Sequence, residues 1–505
     1  MDIEVITLTP LLIHHLKKSM PMLFRQIFDP KLAQYAYLIG CQKTKEAIII
    51  DPERDIDQYL EIAEEEDVRI VAVAETHIHA DFLSGAREFA ERLGVRLYLS
   101  AEGESEGWGS NWAKNGKYDV VFLRDGDTFK IGNIEFKAMH TPGHTPEHMS
   151  YLVTDKGGGA TDPMGIATGD FVFVGDLGRP DLLESAAKVA GMREPSARKL
   201  FDSAQKFFEL PDYLQVWPGH GAGSACGKAL GAIPESTVGY EKRYNASLAP
   251  ARESVDQFVQ NILSGQPEPP LYFARMKRYN RDGVPILGNL PAPRKLSAFE
   301  LEQVVKAGEW TIVDTRLDRE EFMRAHIPGS LYAPMRKTFN TVVGSLVPDD
   351  QTPLVLIIEE SKLEEAIRDL VRIGYDNVVA WASPETLIHY FDNGGARAQI
   401  PVLTFKEVAE QATNGQVQVL DVRYASEYQS GHVPGAVNAS YTRLPKYADR
   451  IPKGKPLAVH CLTGIRASVA ASWLSANGYD VYWVNDEFPN YHNYGQVATG
   501  EAVEA

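Results

Sequence analysis

The sequence predicts a multidomain protein of the α/β and α+β classes, and three observations lead to this prediction. The chain has 505 residues, and at about 150 residues per domain this length corresponds to roughly three domains. Its first half alternates short β-rich runs with helical stretches. Its second half contains an internal repeat, which predicts two related α/β units with parallel sheets.

The first domain begins with runs that are typical of a buried sheet. EAIIIDP (46–52) and VRIVAVAETH (68–77) are short, apolar and rich in β-branched residues, and both end in polar residues. Such runs predict buried strands whose following loops emerge at one edge of a sheet. The next segment, DFLSGAREFAERLG (81–94), has helical periodicity and closes on Gly94.

The second half of the chain repeats itself at a nearly constant offset. VDTRLDREEFMRAHIPGS (313–330) matches LDVRYASEYQSGHVPGA (420–436), with the aspartates 107 and the histidines 106 residues apart. IGYDNV (373–378) matches NGYDVY (477–482), with the glycines 104 residues apart. Constant offsets at three markers indicate two homologous domains in tandem, each an α/β unit with a parallel sheet.

The proline and glycine content of residues 265–297 predicts a loop-rich connection, so we place a boundary near residue 290. The positively charged residues of the first segment follow its apolar run, which is the reverse of a secretory signal, and Met22 could be the natural start. The predicted divisions are an N-terminal extension (1–21), a first domain (22–265), a linker (266–292), and two repeat domains (293–398 and 399–505).

Composition excludes several classes of partner. The formal net charge is −17 and no long Lys/Arg cluster is present, which argues against nucleic acid and against an anionic membrane surface. No stretch approaches the roughly 20 apolar residues that span a bilayer. Three cysteines, Cys41, Cys226 and Cys461, are too few and too far apart for a disulfide framework, so we expect a reducing cytoplasm. We also expect a homo-oligomer, either a dimer or a tetramer.

Four segments of the first domain carry residue types that bind metals. They are THIHAD (76–81), TPGHTPEH (141–148), ATGD (167–170) and WPGH (217–220). Loops that follow strands converge at one sheet edge, so histidines from these segments can point into one cleft. His77, His79, His144 and Asp170 would supply imidazoles and one carboxylate.

The four segments, in this order and spacing, resemble the metallo-β-lactamase fold superfamily over roughly residues 22–245, and within it the persulfide dioxygenase branch. The resemblance implies an αββα sandwich and a single Fe(II), with zinc as the alternative ion in purified protein. Carried over motif by motif, the ligands would be His77, His144 and Asp170. Residues expected beside these ligands or facing the substrate are His79, Asp81, His148, Arg179 (in GDLGRPD, 175–181) and His220. Arg179 would lie near the substrate's carboxylates, which a guanidinium can bind in bidentate fashion.

Residue chemistry agrees with one ion. Two histidines and one carboxylate with open positions are the ligand set of non-haem Fe(II) oxygenases. A binuclear zinc hydrolase needs a second full set, in which position 82 would be histidine, and Phe82 cannot ligate. A second ion would retain only Asp81, His220 and a bridging Asp170. Cys226 is interpreted as a packing residue, and Cys41 as a core residue.

The last domain carries a candidate nucleophile. LAVHCLTGIRAS (457–468) places Cys461 between a β-run and a helix, where backbone N–H groups and Arg466 stabilise a thiolate. The backbone of Leu462, Thr463, Gly464 and Ile465 is expected to form the persulfide cradle. With its Asp-Val-Arg and GHVPGA segments, this domain resembles a rhodanese-like sulfurtransferase. In a phosphatase loop the arginine would be the sixth residue after the cysteine, whereas here it is the fifth.

The upstream repeat lacks this chemistry. Its equivalent stretch, LVLIIEESKLEEAI (354–367), has no cysteine, and Glu359 and Glu360 would repel anionic sulfur species. We interpret this copy as a rhodanese-like domain without activity that serves as a scaffold or spacer. His326 and His432 occur in both copies, which favours a structural role for them.

These interpretations predict a persulfide dioxygenase joined to a sulfurtransferase. Its substrates would be a low-molecular-weight persulfide and O₂, and Cys461 would carry sulfane sulfur between persulfide, sulfite and thiosulfate in sulfide detoxification. One alternative is a binuclear thioester hydrolase like glyoxalase II with an appended sulfurtransferase. Another is a non-catalytic sulfur carrier or sensor in which only Cys461 matters.

Overall fold

The computed structural model describes residues 22–185, 191–228 and 230–500. The predicted extension, residues 1–21, lies outside the described residues. The first domain is a sandwich of two six-stranded mixed sheets with helices on the outside, and the repeats form two parallel five-stranded sheets. The predicted fold class, an αββα metallo-β-lactamase sandwich followed by two rhodanese-like α/β domains, is therefore confirmed.

The first sheet has its six strands in sequence order. They are β1 (Met22–Asp29), β2 (Gln34–Cys41), β3 (Glu46–Ile50), β4 (Arg69–Ala74), β5 (Arg96–Ser100) and β6 (Val120–Leu123). β1, β2 and β3 pair antiparallel, whereas β3 to β6 pair parallel. The predicted strands at 46–52 and 68–77 are thus β3 and β4, both largely buried because the sheet is covered on both faces.

The second sheet packs against the first. Its strands are β7 (Thr128–Ile131), β8 (Ile134–His140), β9 (Met149–Asp155), β10 (Gly165–Gly169), β11 (Gln215–Pro218) and β12 (Ser236–Thr237). The helices of this part of the chain are α1 (Asp57–Glu65), α2 (Ala86–Leu93), α3 (Leu182–Ser185), α4 (Arg193–Glu209), α5 (Val238–Tyr244), α6 (Val255–Leu263) and α7 (Phe273–Asp282). Helix α2 ends, as predicted, at Gly94, which adopts a left-handed conformation with φ of 64°.

The first repeat contains strands β13 (Arg294–Lys295), β14 (Thr311–Asp314), β15 (Leu331–Tyr332), β16 (Leu354–Ile357) and β17 (Val378–Ala382). Its helices are α8 (Ala298–Ala307), α9 (Arg319–Arg324), α10 (Phe339–Leu346), α11 (Leu363–Arg372) and α12 (Pro384–Asp392). The strand order is β13-β17-β16-β14-β15.

The second repeat follows the same plan. Its strands are β18 (Val402–Leu403), β19 (Gln418–Asp421), β20 (Val437–Asn438), β21 (Leu457–His460) and β22 (Val481–Val484), and its helices are α13 (Phe405–Thr413), α14 (Ala425–Ser430), α15 (Leu444–Tyr447) and α16 (Ile465–Ala476). The order β18-β22-β21-β19-β20 reproduces that of the first repeat strand for strand.

The segment predicted as a loop-rich connection contains helix α7. Pro269 and Pro270 precede the helix, and Gly283 follows it with φ of 117°. Phe273, Met276, Lys277 and Asn280 are buried on this helix. The prediction of a loop is wrong for this stretch. The helix is rich in arginine and lysine, so its composition does not indicate the face that packs against the first domain.

Within the described ranges, none of the helices is both long enough and apolar enough to cross a bilayer.

Candidate functional site

Three of the predicted ligands meet at one edge of the sandwich. His77 follows β4, His144 follows β8, and Asp170 follows β10. Their ligand-capable atoms all lie within 4.8 Å of one another. The Nε2 atoms of His77 and His144 are 3.7 Å and 3.5 Å from Oδ2 of Asp170. All three side chains are buried, so the structure brings together the ligand set that the resemblance implies.

Hydrogen bonds fix the orientation of both imidazoles. Nδ1 of His144 donates to the backbone carbonyl of Arg179 at 3.0 Å, so its Nε2 carries the free lone pair. The Thr76 hydroxyl donates to Asp51 at 2.7 Å and can therefore accept from Nδ1 of His77 at 2.9 Å. Both rings thus present Nε2 toward Asp170, as partners beyond the ligands commonly arrange in metal sites.

The residues present fit a divalent cation. Among the described residues, Nε2 of His144 and both carboxylate oxygens of Asp170 are buried without a hydrogen-bond partner. Burial of unpaired polar atoms is costly, and a metal ion would satisfy all three. Burial lowers the pKa of His77 and of His144 well below the usual range, which keeps them in the neutral form that ligates. Burial raises the pKa of Asp170 to about 6.

His79 lies outside this ligand group, although it is only two residues from His77. Its Nε2 is 3.0 Å from Glu75 and 3.3 Å from Asp51. Burial alone would lower the pKa of His79, but these two carboxylates raise it well above its usual range. The Phe82 ring packs on the imidazole with ring centroids 4.3 Å apart. His79 therefore faces two acids in this structure, and the ligand-capable atoms of His79, Glu75 and Asp51 lie within 4.8 Å of one another.

His148 and His220 both contact the ligand segment at Asp170. Nε2 of His148 accepts the backbone N–H of Asp170 at 3.1 Å, and burial lowers the pKa of His148 to about 3. Nε2 of His220 is 3.4 Å from Asp170 and also 3.4 Å from Asp81. His148 thus orients the ligand through its backbone, whereas His220 faces the carboxylate itself.

A second group lies beside the first and contains a residue that sequence reasoning missed. Asp81, His220 and Cys226 present ligand-capable atoms within 4.8 Å of one another. Neither carboxylate oxygen of Asp81 has a hydrogen-bond partner among the described residues. Burial raises the pKa of the Cys226 thiol, with further contributions from Asp81 and Asp170. Cys226 is therefore placed at the site, and spacing in the sequence carries no signal for this position.

Arg179, expected near the substrate, has its guanidinium paired within the protein. Nε and Nη2 donate to the two oxygens of Asp181, each at 2.7 Å, and Nη1 donates to the carbonyl of Ala225 at 3.4 Å. The pair is buried. In this structure the Arg179 side chain anchors its own loop, and the backbone carbonyl of Arg179 accepts the hydrogen bond from His144.

Helix α7 contributes directly to the metal segment. The side-chain amide of Asn280 donates to the carbonyls of His79 and Phe82 at 3.0 Å and 2.7 Å, and its oxygen accepts the N–H of Ser84 at 2.9 Å. Lys277, one turn earlier, is also buried. The nearly 200 residues between α7 and the metal segment explain why motif spacing could not reveal either contribution.

The predicted sulfur-transfer loop lies between β21 and α16. Cys461 is buried, and its Sγ accepts the backbone N–H of Ala467 at 3.4 Å. Gly464 has a φ of 80°, which lets the loop turn back over the sulfur, whereas Leu462 and Ile465 are largely exposed. The indole N–H of Trp483 fixes the loop by donating to the Gly464 carbonyl at 2.9 Å.

Arg466 is held at the mouth of this loop by an acid. Its Nη1 and Nη2 donate to the Glu427 carboxylate at 2.6 Å and 2.7 Å. Burial alone would raise the pKa of Glu427, but the guanidinium of Arg466 lowers it. Burial alone would lower the pKa of Arg466, but its hydrogen bonds to Glu427 raise it, so the paired arginine is fixed in place at the loop.

Comparison with known proteins agrees with this architecture. A model of the metallo-β-lactamase superfamily matches residues 29–220, and a model of the rhodanese-like domain matches residues 297–382 and 404–494. The solved structure of a metallo-β-lactamase from Staphylococcus aureus is 38% identical, with a TM-score of 0.62, and covers 72% of this chain and 99% of that chain.

Two curated relatives of the first domain have names that describe different activities. The mitochondrial persulfide dioxygenase of Bos taurus is 27% identical over 257 residues, which is 50% of this chain and 87% of that protein. A β-lactamase hydrolase-like protein of Xylella fastidiosa is 29% identical over 250 residues, which is 45% of this chain. The chain spans about half, 52%, of that protein's length.

Proposed function

We propose that this chain, which belongs to the metallo-β-lactamase superfamily, oxidises the sulfane sulfur of a low-molecular-weight persulfide with O₂ and transfers sulfane sulfur through Cys461. The observation that supports this proposal most strongly is the presence of two buried sites on one chain. One is a two-histidine, one-carboxylate cluster, and the other is a cysteine loop in a rhodanese-like domain. The relative named a persulfide dioxygenase supports the first half of the proposal.

His77, His144 and Asp170 would hold one Fe(II). When bound, ferrous iron with this ligand set supplies open positions at which a sulfur ligand and O₂ can be brought together. The protein keeps those positions open because His79 is engaged by Glu75 and Asp51. Overall, RSSH, O₂ and H₂O give RSH, sulfite and two protons.

Cys461 would perform the second reaction by thiol exchange. Its thiolate attacks the terminal sulfur of RSSH, so a new S–S bond forms on Cys461 and the RS⁻ thiolate leaves. Sulfite then attacks the outer sulfur of the Cys461 persulfide, and thiosulfate leaves while the Cys461 thiolate is restored. The left-handed turn at Gly464 and the amide of Ala467 hold the sulfur at a helix start, where negative charge is stabilised.

The second ligand group favours one alternative function. Asp81, His220 and Cys226 could hold another ion, and two ions would suit a thioester hydrolase like glyoxalase II. Metal analysis of protein purified without oxygen separates the readings. One iron per chain, retained in Cys226→Ser, supports the dioxygenase, whereas two ions per chain with one lost in Cys226→Ser supports the hydrolase.

The ligand assignment is tested by a matched pair of histidine variants. His144→Ala should lose the iron and persulfide-dependent O₂ uptake, because it removes a ligand that no neighbour replaces. His79→Ala should keep the iron, since Nε2 of His79 faces Glu75 and Asp51 and the ring only packs beside His77. Equal iron loss in both variants would overturn the three-residue assignment.

A further inference from the structure

Lys277 carries a buried ammonium group. It lies on α7 with 1% of its surface exposed. Its Nζ has no hydrogen-bond partner among the described residues. An ammonium group taken out of water without a counter-charge is unfavourable for folding. Such a group is retained more readily where it meets a ligand than where it serves packing alone.

One further donor near Lys277 lacks an acceptor. The Lys277 ammonium lies 5.4 Å from the ring centroid of Trp108. Within the described residues, the indole N–H of Trp108 is buried without a hydrogen-bond partner. The ammonium and the indole are therefore two neighbouring buried donors.

Both apolar and acidic side chains surround Lys277. Trp108 packs with Ile78 and Leu183 in a small apolar cluster. One oxygen of the Glu147 carboxylate accepts the Ile78 N–H at 2.7 Å, and burial raises the pKa of Glu147 to about 7. Burial lowers the pKa of Lys277, and Glu147 is the acid that most opposes this shift. Among the described residues, Nζ of Lys277 and Oε2 of Glu147 are nevertheless both buried without a hydrogen-bond partner.

Packing places Lys277 beside the segment that carries His77. The ammonium lies over the ring of Trp108, and Trp108 packs against Ile78, the residue directly after His77. Asn280, one turn further along the same helix, donates to the carbonyl of His79. The buried guanidinium of Arg179 is paired with Asp181, whereas the ammonium of Lys277 has no hydrogen-bond partner in the described part of the chain.

We propose that Lys277, with the Trp108 indole, forms a subsite for a sulfur-centred anion next to the metal cluster. The ligand is the ionised terminal sulfur of the persulfide, and the sulfite product leaves from the same place. This inference rests on the proposed function and deepens it. Lys277 acts as a substrate-binding residue supplied by the connection between domains.

The test measures sulfite binding, because sulfite is a stable probe. Anaerobic calorimetry on the full chain loaded with zinc compares wild type, Lys277→Met and Arg281→Met. Arg281 is a matched control on the same helix: it also lies over the Trp108 ring, at 5.7 Å, but it pairs with Asp282 and its side chain is 34% exposed. We expect Lys277→Met to weaken sulfite binding about ten- to a hundred-fold, and Arg281→Met to change it less than about two-fold.

Stability and kinetics separate binding from packing. Lys277→Met should raise the melting temperature because it removes a buried unpaired charge, and in the iron enzyme it should raise the KM for persulfide more than it lowers kcat. Unchanged sulfite binding in Lys277→Met would overturn the proposal. So would a larger loss for glutathione than for sulfite, because the lysine would then bind a carboxylate of the carrier.

A milder variant covers the case in which Lys277→Met does not fold. Trp108→Phe removes one donor and keeps an aromatic ring, and it should weaken sulfite binding by a few-fold. Unchanged binding in this variant would contradict the role of the indole. Lysine-dependent sulfite binding without any persulfide-dependent O₂ uptake would refute the proposed function and leave the subsite intact.

Discussion

The two rhodanese-like repeats share a frame and differ in chemistry. In both, an arginine forks onto an aspartate two residues earlier: Arg316 onto Asp314, and Arg423 onto Asp421. The histidines of the two HxPG turns also behave alike. Nδ1 of His326 and of His432 donates to the carbonyl four residues earlier, at 2.8 Å and 2.9 Å, and each ring stacks on an aromatic neighbour. These features therefore belong to the frame, in agreement with the structural role expected for the two histidines.

The difference begins at the residue directly after the fourth strand of each repeat, β16 or β21. β16 and β21 pair with β14 and β19 in the same register, so Ile358 occupies the place of Cys461, and each is 1% exposed. Three residues on, the active loop has Gly464 in a left-handed conformation, whereas Ser361 lies in a short 3₁₀ turn (Glu360–Lys362). A buried hydrocarbon has replaced the nucleophile without disturbing the core.

The silent copy instead supports the metal domain. Arg372 of α11 is buried against Asp29, Glu53 and Asp55 of the first domain, with 3.0 Å to Glu53 and 2.8 Å to Asp55. The Arg372 carbonyl accepts the N–H of Leu83, the residue directly after Phe82, at 2.7 Å. The comparison teaches that this repeat shares the frame, has Ile358 in place of the cysteine, and holds the segment that carries His77.

Removing the nucleophile is the sharpest test of the contrast. Cys461→Ser should lower transfer of sulfane sulfur to cyanide by at least about a thousand-fold, because the thiolate is the attacking group. Persulfide-dependent O₂ uptake should persist, since it belongs to the other domain. Loss of both activities together would contradict two separate sites and favour a carrier protein.

The converse substitution tests whether the silent copy lacks only its cysteine. Ile358→Cys, made in the Cys461→Ser background, should restore no sulfur transfer, because Glu359, Glu360 and Ser361 leave the loop acidic and without the left-handed turn. Restored transfer would show that the loop sequence is of little importance.

Breaking the docking contact should have the next largest effect. Arg372→Met leaves Asp29 and Glu53 buried without their cation, while Asp55 keeps Arg368, and the change should destabilise the protein by about 3–5 kcal/mol. Urea unfolding followed by intrinsic fluorescence measures the shift. Arg96→Met is the control, since its pair with Asp119 is half-exposed and is expected to contribute less than about 1 kcal/mol. Equal effects would contradict the scaffold role.

A side chain at position 464 should strain the backbone of the Cys461 loop. In Gly464→Ala the added Cβ would lie 3.0 Å from Oδ1 of Asn485, on a backbone with φ of 80°. We expect a cost of about 1–2 kcal/mol and reduced sulfur transfer. Ser361→Ala in the silent copy should be nearly neutral in unfolding experiments. A neutral Gly464→Ala would show that the left-handed turn is not required.

The smallest expected effect is on the pH dependence of the free energy of unfolding. Burial lowers the pKa of His326 below its usual value of 6.5. Its stabilising contribution is therefore complete above pH 6.5 and is lost as the pH falls below 6.5 toward the lowered pKa. His326→Asn, which cannot titrate, should cost about 1 kcal/mol at pH 7.5 and less at pH 5.5 in urea unfolding. A cost that grows on acidification would contradict a neutral His326.

Much of the fold follows from local pattern. The near-constant offsets between aspartates, histidines and glycines predict two equivalent sheets, and the structure gives both the same strand order. Motif order likewise predicts which residues gather near Asp170, because loops at one sheet edge must converge. Helix α7 was missed, since its basic residues and flanking prolines have the composition of a connection.

The remainder of the site depends on long-range packing. Cys226, Lys277 and Asn280 reach the cluster from segments distant in sequence, and no periodicity indicates their direction. The pairing of Arg179 with Asp181 was equally hidden, because a guanidinium two residues from an acid can face either the acid or a substrate. Such choices are made by burial and by neighbouring charges.

Oxygen uptake with product analysis tests the proposed function most directly. Protein loaded with Fe(II) without oxygen is mixed with glutathione persulfide and O₂ in an oxygen-electrode cell, and sulfite is measured in the Cys461→Ser variant so that it is not consumed. We predict one O₂ taken up and one sulfite formed per persulfide. Absence of O₂ uptake and of sulfite in protein that retains one iron per chain would contradict it.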